Sequence, residues 1–253
     1  MTEEARAFLA AREQPIRMVI FDCDGVLIDS EALCDRVCAA AITELGWIVT
    51  PEECHRRFLG LSFYDMVPLI EARTGSAIRN GWVDDLVARL SIVLSQEVEP
   101  IPGAREALSG VTSLGLPWRV ASNSSHTEMN AKFGRVGWSD LMRDRVHSGA
   151  EIIARGGRAK PAPDVFLEAA SAEGVASAHC LVIEDSAAGA EAARAAGMAC
   201  LGYAPGHDGA GLRQAGAIPF RPMHALPVLL ECDRLRLTST SGVNHPLKQR
   251  LRP

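Results

Sequence analysis

The sequence predicts an α/β fold: a parallel sheet covered by helices on both faces, interrupted by a smaller all-helical insertion. Three observations carry this expectation. Met18–Phe21 is an unbroken apolar run of strand length, as expected of a strand buried on both faces. From Pro100 onward the short apolar segments WRVAS, HCLVIED and MACLGY alternate with helical stretches. Strand–helix–strand repetition of that kind builds a parallel sheet. Between these two regions, residues 31–99 show helical patterns and no convincing strand.

Taken in order, MTEEARAFLAAREQ reads as a short amphipathic helix. It begins with acids and mixes charge into its apolar face, unlike a secretory leader. The strand Met18–Phe21 then runs into Asp22, Cys23, Asp24 and Gly25. Side chains of an extended chain alternate, so Asp22 and Asp24 point the same way, beyond the strand's carboxyl end. Open α/β sheets bind their ligands at that edge. Ser30 is placed to cap a helix that carries Glu31 in its first turn and closes at Gly46. PEECHRRF, FYDMVPLIEARTG and WVDDLVARLSIVLSQEV read as three further helices. The expected division is a Rossmann-like core from residues 1–30 and 100–232, a helical insertion over 31–99, and a polar tail over 233–253. In the core, Pro102 and Gly103 lead into a helix ending at Gly115, and WRVAS gives a strand followed by the polar turn NSSH. A helix through Met129–Val136, a weak strand near Arg145–Ser148 and the Gly-rich loop ARGGRAKPAPD follow. A helix from Pro163 to Gly174, the strand HCLVIED, the helix SAAGAEAARAAG and the strand MACLGY complete the clear pattern. Pro205–Gly211 reads as a loop, and MHALPVLLECDRL holds a last helix.

Composition narrows the function. The chain has 253 residues, 47% hydrophobic and 23% charged, ordinary for a globular enzyme. A net charge of −5 lacks the basic footprint of a nucleic-acid binder. No apolar run is long enough to cross a bilayer. The seven cysteines include no C-x-x-C pair and read as free thiols of a reducing cytoplasm, which is the expected location. Only three lysines occur, at 132, 160 and 248, so the placement of Lys160 is notable.

Three further features fall at the same sheet edge as Asp22 and Asp24. The strand WRVA ends in Ser122-Asn123-Ser124-Ser125, at a helix N-terminus that serves equally as an anion site or as a simple cap. Lys160 precedes Pro161, which favours extended backbone and holds a long cation near the mouth of the next helix. The strand CLVI ends in Glu184 and Asp185, and carboxylates beside a buried strand require a cationic partner. Together these are the parts for phosphoryl transfer with Mg²⁺. Asp22, Asp185 and a backbone carbonyl offer the oxygen ligands that a hard cation takes. A carboxylate can attack phosphorus to form an aspartyl phosphate. Lys160, Ser122 and backbone N–H groups can stabilise the charge that develops. Asp24 can protonate the departing alkoxide and then deprotonate water, provided that neighbouring acids have their pKa values pushed apart.

In this order, FDCDGVLIDSE, VASNSS, KPAPDVF and VIEDSAAGAEAARAAGM resemble the four motifs of the haloacid dehalogenase superfamily. The resemblance covers Arg17–Tyr203 and is to the phosphatase branch with a helical cap, which includes β-phosphoglucomutases and sugar-phosphate phosphatases. It implies that Asp22 is the nucleophile and Asp24 the general acid and base, its carbonyl also facing Mg²⁺. It further implies that Ser122 and Asn123 meet the phosphoryl group, that Lys160 bridges nucleophile and phosphate, that Asp185 is the second metal carboxylate, and that Glu184 binds the metal or its waters. Residues 31–99 would form a lid whose loop Leu59-Gly60-Leu61-Ser62 closes over the site, with Ser62 and Glu31 on the substrate side. Dehalogenases have an aromatic residue where Asp24 stands, and phosphonate-cleaving relatives need a cap lysine that is lacking here. β-Phosphoglucomutases typically carry His at the position of Cys34 and Arg at that of Phe63, so hydrolysis is favoured over mutase activity. Arg56, Arg57 and Tyr64 are candidate substrate contacts. The expectation is hydrolysis of a small phosphomonoester, a sugar phosphate or sugar-acid phosphate. The alternatives are a sugar phosphomutase and a non-catalytic binding protein on the same fold.

Overall fold

Six parallel strands form the central sheet of the computed structural model, which describes residues 2–58, 61 and 63–231. In chain order the elements begin with α1 (Thr2–Ala11), β1 (Met18–Phe21) and β2 (Ile28–Asp29). Four helices follow: α2 (Glu31–Glu44), α3 (Pro51–Phe58), α4 (Phe63–Thr74) and α5 (Trp82–Glu97). Then come β3 (Glu99–Pro100), α6 (Ala104–Ser113), β4 (Trp118–Ser122), α7 (His126–Arg135), α8 (Ser139–Met142) and β5 (Val146–Ser148). The chain continues through α9 (Gly149–Ala154), α10 (Asp164–Ala172), β6 (Cys180–Glu184), α11 (Ala187–Ala195), β7 (Ala199–Tyr203), α12 (Ala210–Ala215) and β8 (Ile218–Phe220). Residues 226–231 form a further helix.

The strand order is β5-β4-β1-β6-β7-β8, so β1 lies between β4 and β6. All four residues of β1 are buried, as the unbroken apolar run requires. Their alternation feeds two core layers. Val19 and Phe21 pack with Leu108 of α6 and with Met129 and Phe133 of α7. Met18 and Ile20 pack with Val165 and Phe166 of α10 and Ala190 of α11. A third apolar cluster, including Ile42, Phe58, Ile70, Trp82 and Leu86, is drawn from the region of α2–α5. Among the described residues no helix is long and apolar enough to cross a membrane.

The structure adds elements that the sequence pattern does not reveal. β2 and β3 pair antiparallel, Ile28 opposite Pro100 and Asp29 opposite Glu99, at the entrance to and exit from the helical insertion. Two-residue strands leave no periodic signal. The edge strand β8 carries Pro219, a residue tolerated at sheet edges and one that disguises a strand in sequence. The helix expected to start at Met129 starts at His126, capped by Ser125 in a reciprocal capping box with Glu128. Ser30 precedes α2 as expected, yet its side chain makes no capping bond.

Candidate active site

Because β1, β4 and β6 run parallel side by side, their carboxyl ends share one edge. Asp22 follows β1, Ser122 ends β4, Glu184 ends β6, and Lys160 arrives from the loop before α10. Asp22, Ser122, Lys160 and Glu184 are all buried. The Lys160 ammonium donates to Asp22 Oδ1 at 2.5 Å, Glu184 Oε1 at 2.7 Å and the Ala121 carbonyl at 2.8 Å. Burial alone drives a lysine toward neutrality, but Asp22 and Glu184 outweigh it and hold Lys160 charged. For Asp22 burial wins: with Glu184 and Asp24 adding to it and Lys160 opposing, its pKa is pushed up to about 7.

Two of the expected site residues serve as braces in this arrangement. Glu184 Oε2 accepts from the Asp185 N–H at 2.9 Å and from the Ser186 N–H and hydroxyl, each at 2.8 Å. A Cβ at position 189 would lie 1.8 Å from Glu184 Oε1, so α11 can approach this carboxylate only with glycine there. Asn123 uses its side-chain amide on the Lys160 main chain, accepting its N–H at 3.0 Å and donating to its carbonyl at 3.4 Å. The Ser122 hydroxyl accepts the Ser124 N–H at 3.1 Å.

The sequence reading missed Lys132. This α7 residue is 3% exposed, and its ammonium lies 2.6 and 2.8 Å from the two Asp24 carboxylate oxygens. Ser124 Oγ donates to Asp24 Oδ2 at 3.0 Å, and Ser30 Oγ donates to Oδ1. Burial opposes ionisation of Asp24, but Lys132 and the two hydroxyls prevail and hold its pKa below the usual aspartate value. The one available signal was lysine scarcity, since two of the three lysines are buried here. The pKa values of Asp22 and Asp24 are therefore pushed apart, as expected, with Asp22 moved up and Asp24 down. The intended nucleophile is the one pushed toward protonation, and the intended acid is held ionised.

Asp185 suits a cation. Oxygens of Asp22, Glu184 and Asp185 lie within 4.8 Å of one another. None of the hydrogen bonds among the described residues ends on the Asp185 carboxylate, although burial and the charges of Glu184 and Asp22 raise its pKa well above normal. A Cβ at Gly25, whose φ is +70°, would stand 1.8 Å from Asp185 Oδ2, so the turn after β1 needs glycine to admit this acid. A half-buried carboxylate that takes no hydrogen bond from the described residues, beside two buried acids, fits a divalent hard cation such as Mg²⁺.

In front of this edge lies a cleft of about 260 Å³. Its lining includes Glu31, Cys34, Leu61, Lys132 and the Asp35–His55 pair, in which His55 Nδ1 lies 2.9 Å from Asp35 Oδ2. Glu31 lines this cleft, while Ser62 lies outside the described residues. The three suggested cap contacts are absent from the cleft lining. Arg56 donates to the Glu52 carbonyl, Arg57 stacks 5.5 Å over Trp47, and Tyr64 is 69% exposed.

The model of the haloacid dehalogenase-like hydrolase family matches residues 16–197, and the chain belongs to that family. The 6-phosphogluconate phosphatase of Escherichia coli (strain K12) is 32% identical over 184 residues, 72% of this chain and 80% of that protein. Hexitol phosphatase B of the same strain is 33% identical over 186 residues, 72% of this chain and 81% of that protein. A crystal structure of a family hydrolase from Deinococcus radiodurans R1, with bound phosphate and sodium, superposes with a TM-score of 0.70 at 29% identity. The match covers 90% of this chain and 97% of that one.

Proposed function

We propose that this haloacid dehalogenase-like hydrolase is a Mg²⁺-dependent phosphomonoester hydrolase acting on a small phosphorylated metabolite, a sugar phosphate or sugar-acid phosphate. The observation that carries the reading is the Lys160-clamped pair Asp22 and Glu184 beside an Asp185 carboxylate that takes no hydrogen bond from the described residues. The names of the two Escherichia coli relatives support the substrate class.

Asp22 and Asp185, with the Asp24 carbonyl, would hold the metal. A divalent cation held there would offset the crowded negative charge, which would favour ionised Asp22, and would supply Lewis-acid stabilisation to a phosphoryl group. An Asp22 oxygen attacks phosphorus, the ester P–O bond breaks, and the leaving alkoxide takes a proton from Asp24. Asp24 carries that proton from solvent in the first turnover and from the water consumed in the preceding one thereafter, and it must leave Lys132, Ser30 and Ser124 to deliver it. In the second step Asp24, ionised, takes a proton from water as the water oxygen attacks phosphorus. The bond to Asp22 breaks and inorganic phosphate departs. Lys160 and the Ser122 hydroxyl stabilise the phosphoryl oxygens in both steps. Residues 31–99 act as the lid, hinged at the β2–β3 pair. The test is phosphate release from a panel of sugar phosphates. Release that chelation abolishes and Mg²⁺ restores supports the reading; isomerised sugar phosphate without free phosphate would replace it with a mutase.

A further inference from the structure

The cleft in front of the sheet edge has an unbalanced lining. It presents four carboxylates, Asp24, Glu31, Asp35 and Glu128, against two basic side chains, Lys132 and His55. Both basic groups are already paired, Lys132 with Asp24 at 2.6 Å and His55 with Asp35 at 2.9 Å. Among the described residues no arginine lines the cleft. Leu59, Gly60 and Ser62, which flank Leu61 in sequence and lie outside the described residues, are not basic either. A second wall is apolar, built from Phe58, Phe63, Met66, Leu90 and Leu94.

We propose that this cleft admits a phosphoester whose leaving group is uncharged and polyhydroxylated, and rejects one bearing a second anionic group such as a sugar-acid carboxylate. Glu31 and the Asp35–His55 pair are then specificity-determining residues. The inference rests on the phosphatase reading and narrows its substrate class. A carboxylate entering the cleft loses water, meets like charge, and finds each basic group already neutralised by its own acid. A polyol instead donates its hydroxyl hydrogens to the carboxylate oxygens and lays its C–H face on the apolar wall. An ammonium group gains from the acids but loses hydration against that wall. At about 260 Å³ the cleft falls just below the range of drug-sized ligand sites, as suits a small metabolite.

The test uses the full chain with Mg²⁺ at pH 8. It compares kcat/KM for a hexitol phosphate, 6-phosphogluconate, an amino-sugar phosphate and an aryl phosphate. The hexitol phosphate should exceed 6-phosphogluconate at least about tenfold, equivalent to about 1.4 kcal/mol of discrimination. The gap should narrow as salt is added, because screening weakens like-charge repulsion. It should also narrow in Glu31→Gln and Asp35→Asn through faster turnover of 6-phosphogluconate. The salt response of the unmodified protein keeps the test decisive even where a variant folds poorly. Equal or better turnover of 6-phosphogluconate, a salt-independent gap, or tenfold preference for the amino sugar overturns the proposal while the phosphatase reading stands. No phosphate from any of the four overturns both.

Discussion

At the scale of single residues, the strand ends were the legible part. Asp22, Glu184 and Asp185 were assigned to the edge where the structure brings them together with Lys160, because a polar side chain at the end of a buried apolar strand has few other places to be. Lys132 escaped because it lies on a helix and 108 positions from Asp24, a separation that no local pattern reports. Its consequence is testable. Lys132→Met removes the partner of the half-buried Asp24 carboxylate, which should cost roughly 1–3 kcal/mol of stability by denaturant titration. It should also raise the Asp24 pKa and move the acidic limb of the kcat profile upward; an unchanged profile would separate Lys132 from the proton shuttle. His147 gives a second prediction outside the site. Burial lowers its pKa, and its buried Nε2 has no hydrogen-bond partner among the described residues while Nδ1 lies 3.1 Å from Glu168 Oε1. A histidine depressed below its unfolded value near 6.5 binds fewer protons when folded. Stability should therefore fall as pH drops from about 6.5 toward the folded pKa. His147→Gln should flatten that slope in melting curves taken between pH 7.5 and 5.

Among the elements, length decided what could be read. The strands of four or five residues, β1, β4, β6 and β7, announced themselves as apolar runs. β2, β3 and β8, of two or three residues, did not. Their pairing depends on what stands opposite them in space, which sequence does not display. Ser30 shows the same limit in reverse: its position ahead of α2 was legible, but a tertiary contact with Asp24 takes the hydroxyl that a cap would use. The turn after β1 carries the prediction at this scale. Gly25→Ala places a Cβ against Asp185 Oδ2 at a φ of +70°. Strain and displacement should cost about 1–3 kcal/mol and weaken Mg²⁺ affinity, read by calorimetry. Unaltered metal binding would show that Asp185 is not held where the metal must sit.

For the whole molecule, the fold was legible and the occupant of the cleft was not. Alternating strands and helices specify a parallel sheet whatever the chemistry, and the family is seen in motifs at its edge. The proposed selectivity rests instead on how helices α2–α5 present their side chains, and residues such as Asp35 and His55 look like ordinary helix surface until the cleft forms. The central claim is that one carboxylate, Asp22, attacks phosphorus at this edge. Phosphate release from a hexitol phosphate by the unmodified chain and by Asp22→Asn, both with Mg²⁺, tests it most directly. The account predicts a loss of at least about a thousandfold, as expected when a nucleophile is removed. Near-full release by Asp22→Asn would contradict it.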